Sequence, residues 1–462
     1  MLSRRASVSA HVFQLTIRIE MSGARLRDAI GATAASRLRR PSVALYADVR
    51  IQGNAFELVS VTSTATLASD QQHVLVLVEN MSVPADRRVW MEARALVSLG
   101  YRVSVVCPGG RDRDLSELET REGVTIHRFP HREAGAGPWS YLREYGSALR
   151  AMRRLARAID RERRVDLLHL CNPPDVLFLA VRRLRRRGVR VVFDHHDLVP
   201  ELYEARFGHR GGVLYRAAVR FERLAFRAAD VVLSPNESYR GIALTRGRKA
   251  VDDVFVVRIA PDLARFSATS PDSALRRGKR HLIAYAGTIG PQDGVDHALR
   301  ALAELGRRRD DWHAAFAGTG DWRDEAVDLA AELGLAGRVE FPGYLEDEAL
   351  VRLLSTADIC LSPEPRNALN DASTMIKVVE YMALAKPIVA YDLVETRVSA
   401  GDAALYARPN DAGELAACID RLLDDDELRT QMGAEGRRRV EGELGWQRSV
   451  ESLRQAFARA LG

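Results

Sequence analysis

The sequence predicts an α/β protein built from two doubly wound parallel sheets that face one another across a cleft. Three observations carry that expectation. The chain has 462 residues, room for two or three domains; short apolar runs alternate with amphipathic helical stretches, the pattern of parallel strands covered on both faces; and the alternation stops at a Pro-, Ser- and Asp-rich stretch, 261–278, and starts again after it.

The first half opens with "HVLVLV" (73–78), a polar loop, the helix-like "RRVWMEARALVSLG" (87–100) and the strand "YRVSVVCP" (101–108). "GVTIHRF" (123–129) and "VDLLHL" (165–170) read as strands, "PDVLFLAVRRLRRRG" (174–188) as a helix, and "VRVVFD" (189–194) as the next strand. A long helical stretch around 211–228 leads to "DVVLS" (230–234) and "VFVVRI" (254–259). The second half repeats the rhythm: strands at "HLIAYAG" (281–287), "HAAFAG" (313–318), "RVEFPG" (338–343), "ADICLSP" (357–363) and "KPIVAY" (386–391) are separated by helices near 294–307, 321–334, 346–355 and 374–385. The expected layout is an N-terminal extension without sustained periodicity (1–71), a first domain (72–266), a second (279–445) and a final helix (446–462). In open α/β sheets ligands bind beyond the carboxyl ends of the strands, so the loops there are the place to look for chemistry.

Composition removes several classes. No apolar run approaches the roughly 18 residues of a spanning helix, and four scattered cysteines (Cys107, Cys171, Cys360, Cys418) suggest neither a disulfide framework nor a zinc site, which fits a cytoplasmic setting. Residues 73–260 carry 34 basic and 23 acidic residues, whereas 279–445 carry 19 and 31. With aromatics at 6%, the basic half reads as facing an anionic acceptor or an anionic membrane surface rather than nucleic acid. Only four lysines stand against 64 arginines; arginine clusters such as 150–164 and 182–190 are therefore discounted as solvated faces, and each lysine gains weight.

Asn370, Asp371, Ser373 and Thr374 crowd a helix start in "NDASTMIKVVEYMALAKPIVAY" (370–391). Unpaired amides and the positive end of the macrodipole suit a diphosphate there. Lys377 neutralises phosphate in this reading, and Glu380 accepts from vicinal ribose hydroxyls. The same spacing fits a plain amphipathic helix on which Lys377 and Glu380 pair at the surface. "FDHHD" (193–197) ends a buried strand, and of its two histidines His196 is the candidate for the cleft while His195 reads as a surface turn residue. Arg87 and Arg88 either touch an anionic acceptor or lie on a solvated helix start. "RDRD" (111–114) and "DDD" (424–426) read as solvated charge, so neither a metal site nor a cofactor is expected.

Taken together, "GTIGPQDG" (287–294), "AGTGD" (317–321), "RVEFPGYL" (338–345) and the Glu-Tyr-Met-Ala helix before "KPIVAY" resemble the donor half of family 4 retaining glycosyltransferases of GT-B architecture. "VPADRRVWMEARAL" (83–96), "NPPD" (172–175) and "FDHHDLVPELY" (193–203) resemble the acceptor half, especially in bacterial enzymes of cell-surface polysaccharide synthesis. The resemblance spans about 73–460. It implies a catalytic set of His196, Lys377 and Asp371, and donor contacts from Gly287, Thr288, Gly290, Gly318, Gly320, Tyr344, Ser373, Thr374, Met375, Ile376 and Glu380. Acceptor contacts fall to Arg87, Arg88, Asn172, Asp197 and Glu201. Two departures stand out. The first of the family's two glutamates is Ala372 here, with Asp371 beside it. Its Arg and Lys diphosphate clamp reads Thr288 and Asp293, leaving Lys377, with Arg366, to replace it.

The expected function is transfer of a sugar from a nucleoside-diphosphate donor, UDP-linked, to a hydroxyl of a glycan or lipid-linked acceptor with retention, without metal or cofactor. The expected location is cytoplasmic, peripheral on the inner face of the plasma membrane. The alternatives are a non-catalytic sugar-nucleotide binder and a same-fold epimerase.

Overall fold

The computed structural model describes residues 71–110, 116–130, 138–208 and 211–462, together with four strands among the first 63 residues. Those four form two antiparallel pairs, Val8–Ala10 with Phe13–Leu15 and Leu45–Gln52 with Ala55–Ser63. The rest of the expected extension, 1–71, lies outside the described residues up to position 70. His73–Gly462 forms one compact unit.

Eight strands make the first sheet: β1 (His73–Leu77), β2 (Arg102–Pro108), β3 (Leu118–Arg121), β4 (Val124–Phe129), β5 (Leu167–Cys171), β6 (Arg190–Asp194), β7 (Val231–Ser234) and β8 (Val254–Val256). Their order is β8-β7-β6-β5-β1-β2-β4-β3, all parallel except the β3–β4 hairpin at the edge. The second sheet holds β9 (His281–Ala286), β10 (Trp312–Ala317), β11 (Val339–Gly343), β12 (Ile359–Ser362), β13 (Ile388–Tyr391) and β14 (Ala404–Ala407), in the all-parallel order β11-β10-β9-β12-β13-β14. In each sheet the chain winds outward from its first strand and then returns to that strand's other side. The reversals, between β1 and β5 and between β9 and β12, open crevices at the carboxyl ends of the strands.

Alternation along each strand divides the core. Val74 and Val76 face one layer of the first half and Leu75 and Leu77 the other; Ile283 and Tyr285 oppose Leu282 and Ala284 in the second. Both faces are buried, which is why these strands read as unbroken apolar runs. The helix expected over 174–188 is a correction: the chain forms only a 3₁₀ turn at Leu177–Leu179 and one α-turn at Arg182–Arg185. Leu177, Ala180, Val181 and Leu184 still share a buried face, so the three-to-four spacing reported burial and not helix length. Phe266, assigned above to the first domain, is buried with Leu282 and Ala284 of the second half.

The last helix, Trp446–Leu461, packs Leu453, Ala456, Phe457 and Ala460 into the first half's core. Phe457 is fully buried, with ring centroids 5.8 Å from Tyr101 and 5.5 Å from His169. Phe457→Ala is expected to cost about 3–5 kcal/mol, read as a lower urea midpoint for the first half's unfolding; a loss below about 1 kcal/mol would mean that the helix is not part of that core.

Candidate functional site

The helix Arg87–Ser98 follows the first strand, and Asp86 caps it by accepting from the Val89 amide at 3.0 Å. Its two leading arginines part company. Arg88 turns inward and is buried, donating from Nε and Nη2 to Asp194 Oδ2 and Oδ1 at 2.9 and 2.7 Å, and from Nη1 to the Val257 carbonyl at 2.9 Å. Arg87 turns outward and reaches the other half, placing Nη1 2.5 Å from Glu380 Oε1. Arg88 is thus neither an acceptor contact nor a solvated residue: it ties the helix start to the end of β6.

His196 completes that cluster, with Nδ1 2.8 Å from Asp194 Oδ2. Burial disfavours a charged ring, but the Asp194 carboxylate outweighs it and lifts His196 to about 9. Asp194 itself lies well below the usual carboxylate range, because Arg88 and His196 overcome its own burial. Burial raises Glu92 to about 8, against the pull of Arg88, and lowers His169 to about 4. At neutral pH the end of β6 therefore presents an imidazolium anchored through one nitrogen. Glu92, His169, Cys171 and Asp194 bring one potential ligand atom each within 4.8 Å of one another, a juxtaposition the sequence did not disclose. The Arg88 guanidinium already holds Asp194 on both oxygens and lies 3.1 Å from Glu92 Oε1, so the positive charge this cluster calls for is supplied by a side chain.

His195 corrects an expectation. It is fully buried, stacked edge-on to Phe226 with centroids 4.7 Å apart, and its Nε2 lies 3.1 Å from Glu222. Glu201 belongs to the same network: Arg246 grips both of its oxygens, at 2.6 and 3.1 Å, and bonds Glu222 as well. Asn172 accepts from the amides of His196 and Asp197 at 2.9 and 3.1 Å and donates to the Asp197 carbonyl and Asp175. Glu201 and Asn172 are thus committed to holding the 194–201 segment, while Asp197 keeps its carboxylate half-buried above them.

In the second half the helix expected over 374–385 forms as Ile376–Ala383, and a separate short helix, Ala368–Ala372, precedes it. Between them Ser373 donates to the Leu369 carbonyl, and Met375 precedes the second helix. Lys377 and Glu380 do not pair. Lys377 bonds Glu364, which leaves β12 thirteen residues earlier, and lies 3.2 Å from the Tyr285 hydroxyl. Both members of the Lys377–Glu364 pair are buried. Burial works against the ammonium, yet Glu364 and its neighbours keep its pKa well above the ordinary lysine value. Burial raises Asp293 to about 6, partly offset by Lys377. Glu380 is raised by burial and pulled back by Arg87. Asp371 accepts from the Val394 amide at 3.0 Å, with Arg366 3.6 Å away. Arg366 also bonds the Asp392 carbonyl, so it is tied to the 392–394 turn and not to Lys377.

The glycine loops interlock. A Cβ on Gly318 would fall 1.8 Å from the Gly287 carbonyl oxygen, and one on Gly320 2.1 Å from that of Ile289. At Gly287 a Cβ would meet Lys377 Cε at 2.8 Å. The Gly290 amide bonds Asp293, and Thr288 and Tyr344 stay exposed on the rim. Across the cleft, Asn236 donates to the Ala372 carbonyl and Thr374 Oγ1 at 2.8 and 2.9 Å, and the Tyr239 hydroxyl lies 3.2 Å from Ser373 Oγ. Neither residue stood out in the sequence, although "SPNESY" (234–239) follows a strand end in the way the other site loops do.

Two facing parallel α/β domains with the cleft at their switch points define the GT-B class. Solved GT-B structures superpose accordingly: sucrose-phosphate synthase from Thermosynechococcus elongatus gives a TM-score of 0.68 at 17% identity, covering 84% of this chain and 99% of that one. Anabaena HepE in complex with UDP and glucose gives 0.64 at 16%, covering 83% and 99%. The profile of the family described as "Glycosyl transferases group 1" matches residues 267–439 and that of "Glycosyl transferase 4-like domain" residues 85–259, and the chain belongs to the family 4 glycosyltransferases. Among relatives, the alpha-D-kanosaminyltransferase of Streptomyces kanamyceticus is 31% identical over 219 residues, 46% of this chain and 55% of that enzyme. A glycogen synthase of Mycobacterium tuberculosis is 25% identical over 388 residues, 81% and 90%.

The His196–Asp194 pair has a pH signature. A histidine raised above its unfolded value near 6.5 adds stability that is complete below that pH and lost as pH rises through about 9. The stability difference between the native chain and His196→Gln should be flat below pH 6 and shrink between about 6.5 and 9, measured by urea midpoints; no change across that window would mean that the ring is neutral.

Proposed function

We propose that the chain transfers a sugar, with retention, from a UDP-linked donor to a hydroxyl of a glycan or lipid-linked acceptor. The observation that carries the reading is the start of the Ile376–Ala383 helix, where free amide groups, Lys377 and Glu380 meet Arg87 across the cleft. Glu380 takes the ribose hydroxyls, and the 373–376 backbone takes the diphosphate. The UDP-bound Anabaena neighbour supports the choice of nucleotide.

A departing diphosphate gathers negative charge and needs a cation aimed at it. Lys377 alone is a poor answer, since Glu364 already neutralises it and Asp293 adds acid beside it. The first half supplies the balance: Arg87, which is released from Glu380 when the ribose takes that carboxylate and whose side chain is 40% exposed at the cleft, and His196, kept as an imidazolium by Asp194. A positively charged His196 is a hydrogen-bond donor, not a general base. This agrees with front-face transfer, in which the acceptor hydroxyl attacks on the side the diphosphate leaves and a phosphate oxygen receives its proton. With cations delivered by side chains, activity should survive excess EDTA; loss on chelation and recovery with magnesium or manganese would refute this assignment of charge.

The Glu364 and Asp293 carboxylates favour one rival, a non-catalytic sugar-nucleotide binder. Variants separate the two. Glu380→Ala should weaken UDP binding, read as a smaller thermal shift. Arg87→Ala should lower kcat about 10- to 1000-fold. Lys377→Met joined to Glu364→Gln keeps the pocket neutral and tests Lys377 without stranding a buried carboxylate. Donor binding without turnover in the native chain, against a panel of acceptors, would favour the binder; wild-type behaviour in all three variants would move the site elsewhere.

A further inference from the structure

The helix Val213–Ala228 lies in the first half, outside the residues that form the cleft cluster. Its exposed residues are Val213, Leu214, Arg216, Arg220, Phe221, Arg223 and Arg227, a set of arginines and large apolar side chains with no acid among them. The four arginines recur at intervals of four, three and four, which stacks them in one stripe along the helix, about 16 Å long at 1.5 Å per residue. Val213, Leu214 and Phe221 are 81%, 63% and 43% exposed; at about 100° per residue Leu214 and Phe221 share the opposite edge of the exposed half of the helix, and Val213 lies between them and the arginines. Arg248 faces the arginine stripe across a groove of about 1020 Å³ floored by Phe226. Gly247 holds that wall in place, because a Cβ there would meet the Phe226 ring at 2.8 Å.

These arginines differ from many others in the chain. Arg87, Arg88, Arg187, Arg246, Arg276 and Arg309 each hold a carboxylate. Arg216, Arg220, Arg223, Arg227 and Arg248 have no carboxylate partner among the described residues. Other arginines, such as Arg153, Arg157 and Arg183, also gather without a carboxylate partner among the described residues; what sets this face apart is that Val213, Leu214 and Phe221 are exposed on the same helix.

We propose that this face docks the protein on an anionic bilayer, the guanidinium groups meeting lipid phosphates while Val213, Leu214 and Phe221 enter the headgroup boundary. A soluble phosphate would engage one or two arginines and leave the apolar edge in water. A bilayer satisfies both edges of the exposed half. Guanidinium suits the role, being weakly hydrated and geometrically matched to phosphate. No helix among the described residues is long and apolar enough to cross a membrane, so this docking is reversible and salt-sensitive.

The test is co-sedimentation of the full chain with phosphatidylcholine vesicles, with and without phosphatidylglycerol, at low and high salt. The native chain should pellet only with anionic vesicles at low salt. Arg220→Gln with Arg223→Gln should weaken partitioning about 25-fold, roughly fivefold per charge near the surface, while Lys at both positions should retain most of it. Leu214→Ser with Phe221→Ser should weaken it at unchanged charge. All four positions are exposed, and an unchanged urea midpoint verifies that each variant folds. Equal binding to neutral vesicles, native-like binding by the double Gln variant, or release of the protein by inorganic pyrophosphate at matched ionic strength would overturn the proposal, the last by making the groove a site for soluble anions.

Discussion

The bidentate pair between Arg88 and Asp194 is the constraint on which the first half's side of the cleft depends. Two charges taken out of water repay that cost only when geometry and further hydrogen bonds are good, and here every partner is in place. The carboxylate receives three charged donors, and the guanidinium also bonds the Val257 carbonyl. The pair therefore fastens the start of one helix, the end of β6 and the strand-end segment after β8 at a single point. Removing either partner leaves the other charge buried, at about 3–5 kcal/mol; removing Asp194 also takes from His196 the carboxylate that keeps it charged.

Charge in the cleft follows from this arrangement. The second half gathers Glu364 and Asp293 around Lys377 and turns Glu380 towards the first half, which answers with Arg87 and His196. The opposite net charges of the two halves have a local counterpart, because basic groups of one meet acidic groups of the other through Arg87–Glu380 and Arg206–Asp321. Ser238 and Arg258 share Glu395 in the same sense. The two halves are thus held together by contacts of which the proposed nucleotide would replace the one at Glu380 and leave untouched those at Glu395.

The strands, their alternation and the two crevices were legible in the sequence because parallel strands buried on both faces leave continuous apolar runs. Lys377 and Glu380 were legible as residues of interest, but their partners were not: Glu364 and Arg87 come from other elements, and spacing along a helix cannot report them. His195 was misread because its environment, Phe226 and Tyr239 with Glu222, is assembled from distant segments. Arg88 carried an available signal. Together with Val89, Glu92, Ala93 and Leu96 it recurs at the spacing of a buried helix stripe, and a charged pair four apart on such a stripe points to an internal partner.

The interlocked glycine loops bear on how this scaffold can change. Because the backbones around Gly287 and Ile289 occupy the space where side chains at 318 and 320 would stand, the loops at the carboxyl ends of β9 and β10 are closed to alteration at those positions. On the transferase reading proposed above, diversification of sugar preference would proceed from exposed positions such as Thr288 and Tyr344. An evolving or engineered lineage can vary what the pocket selects only around an invariant base.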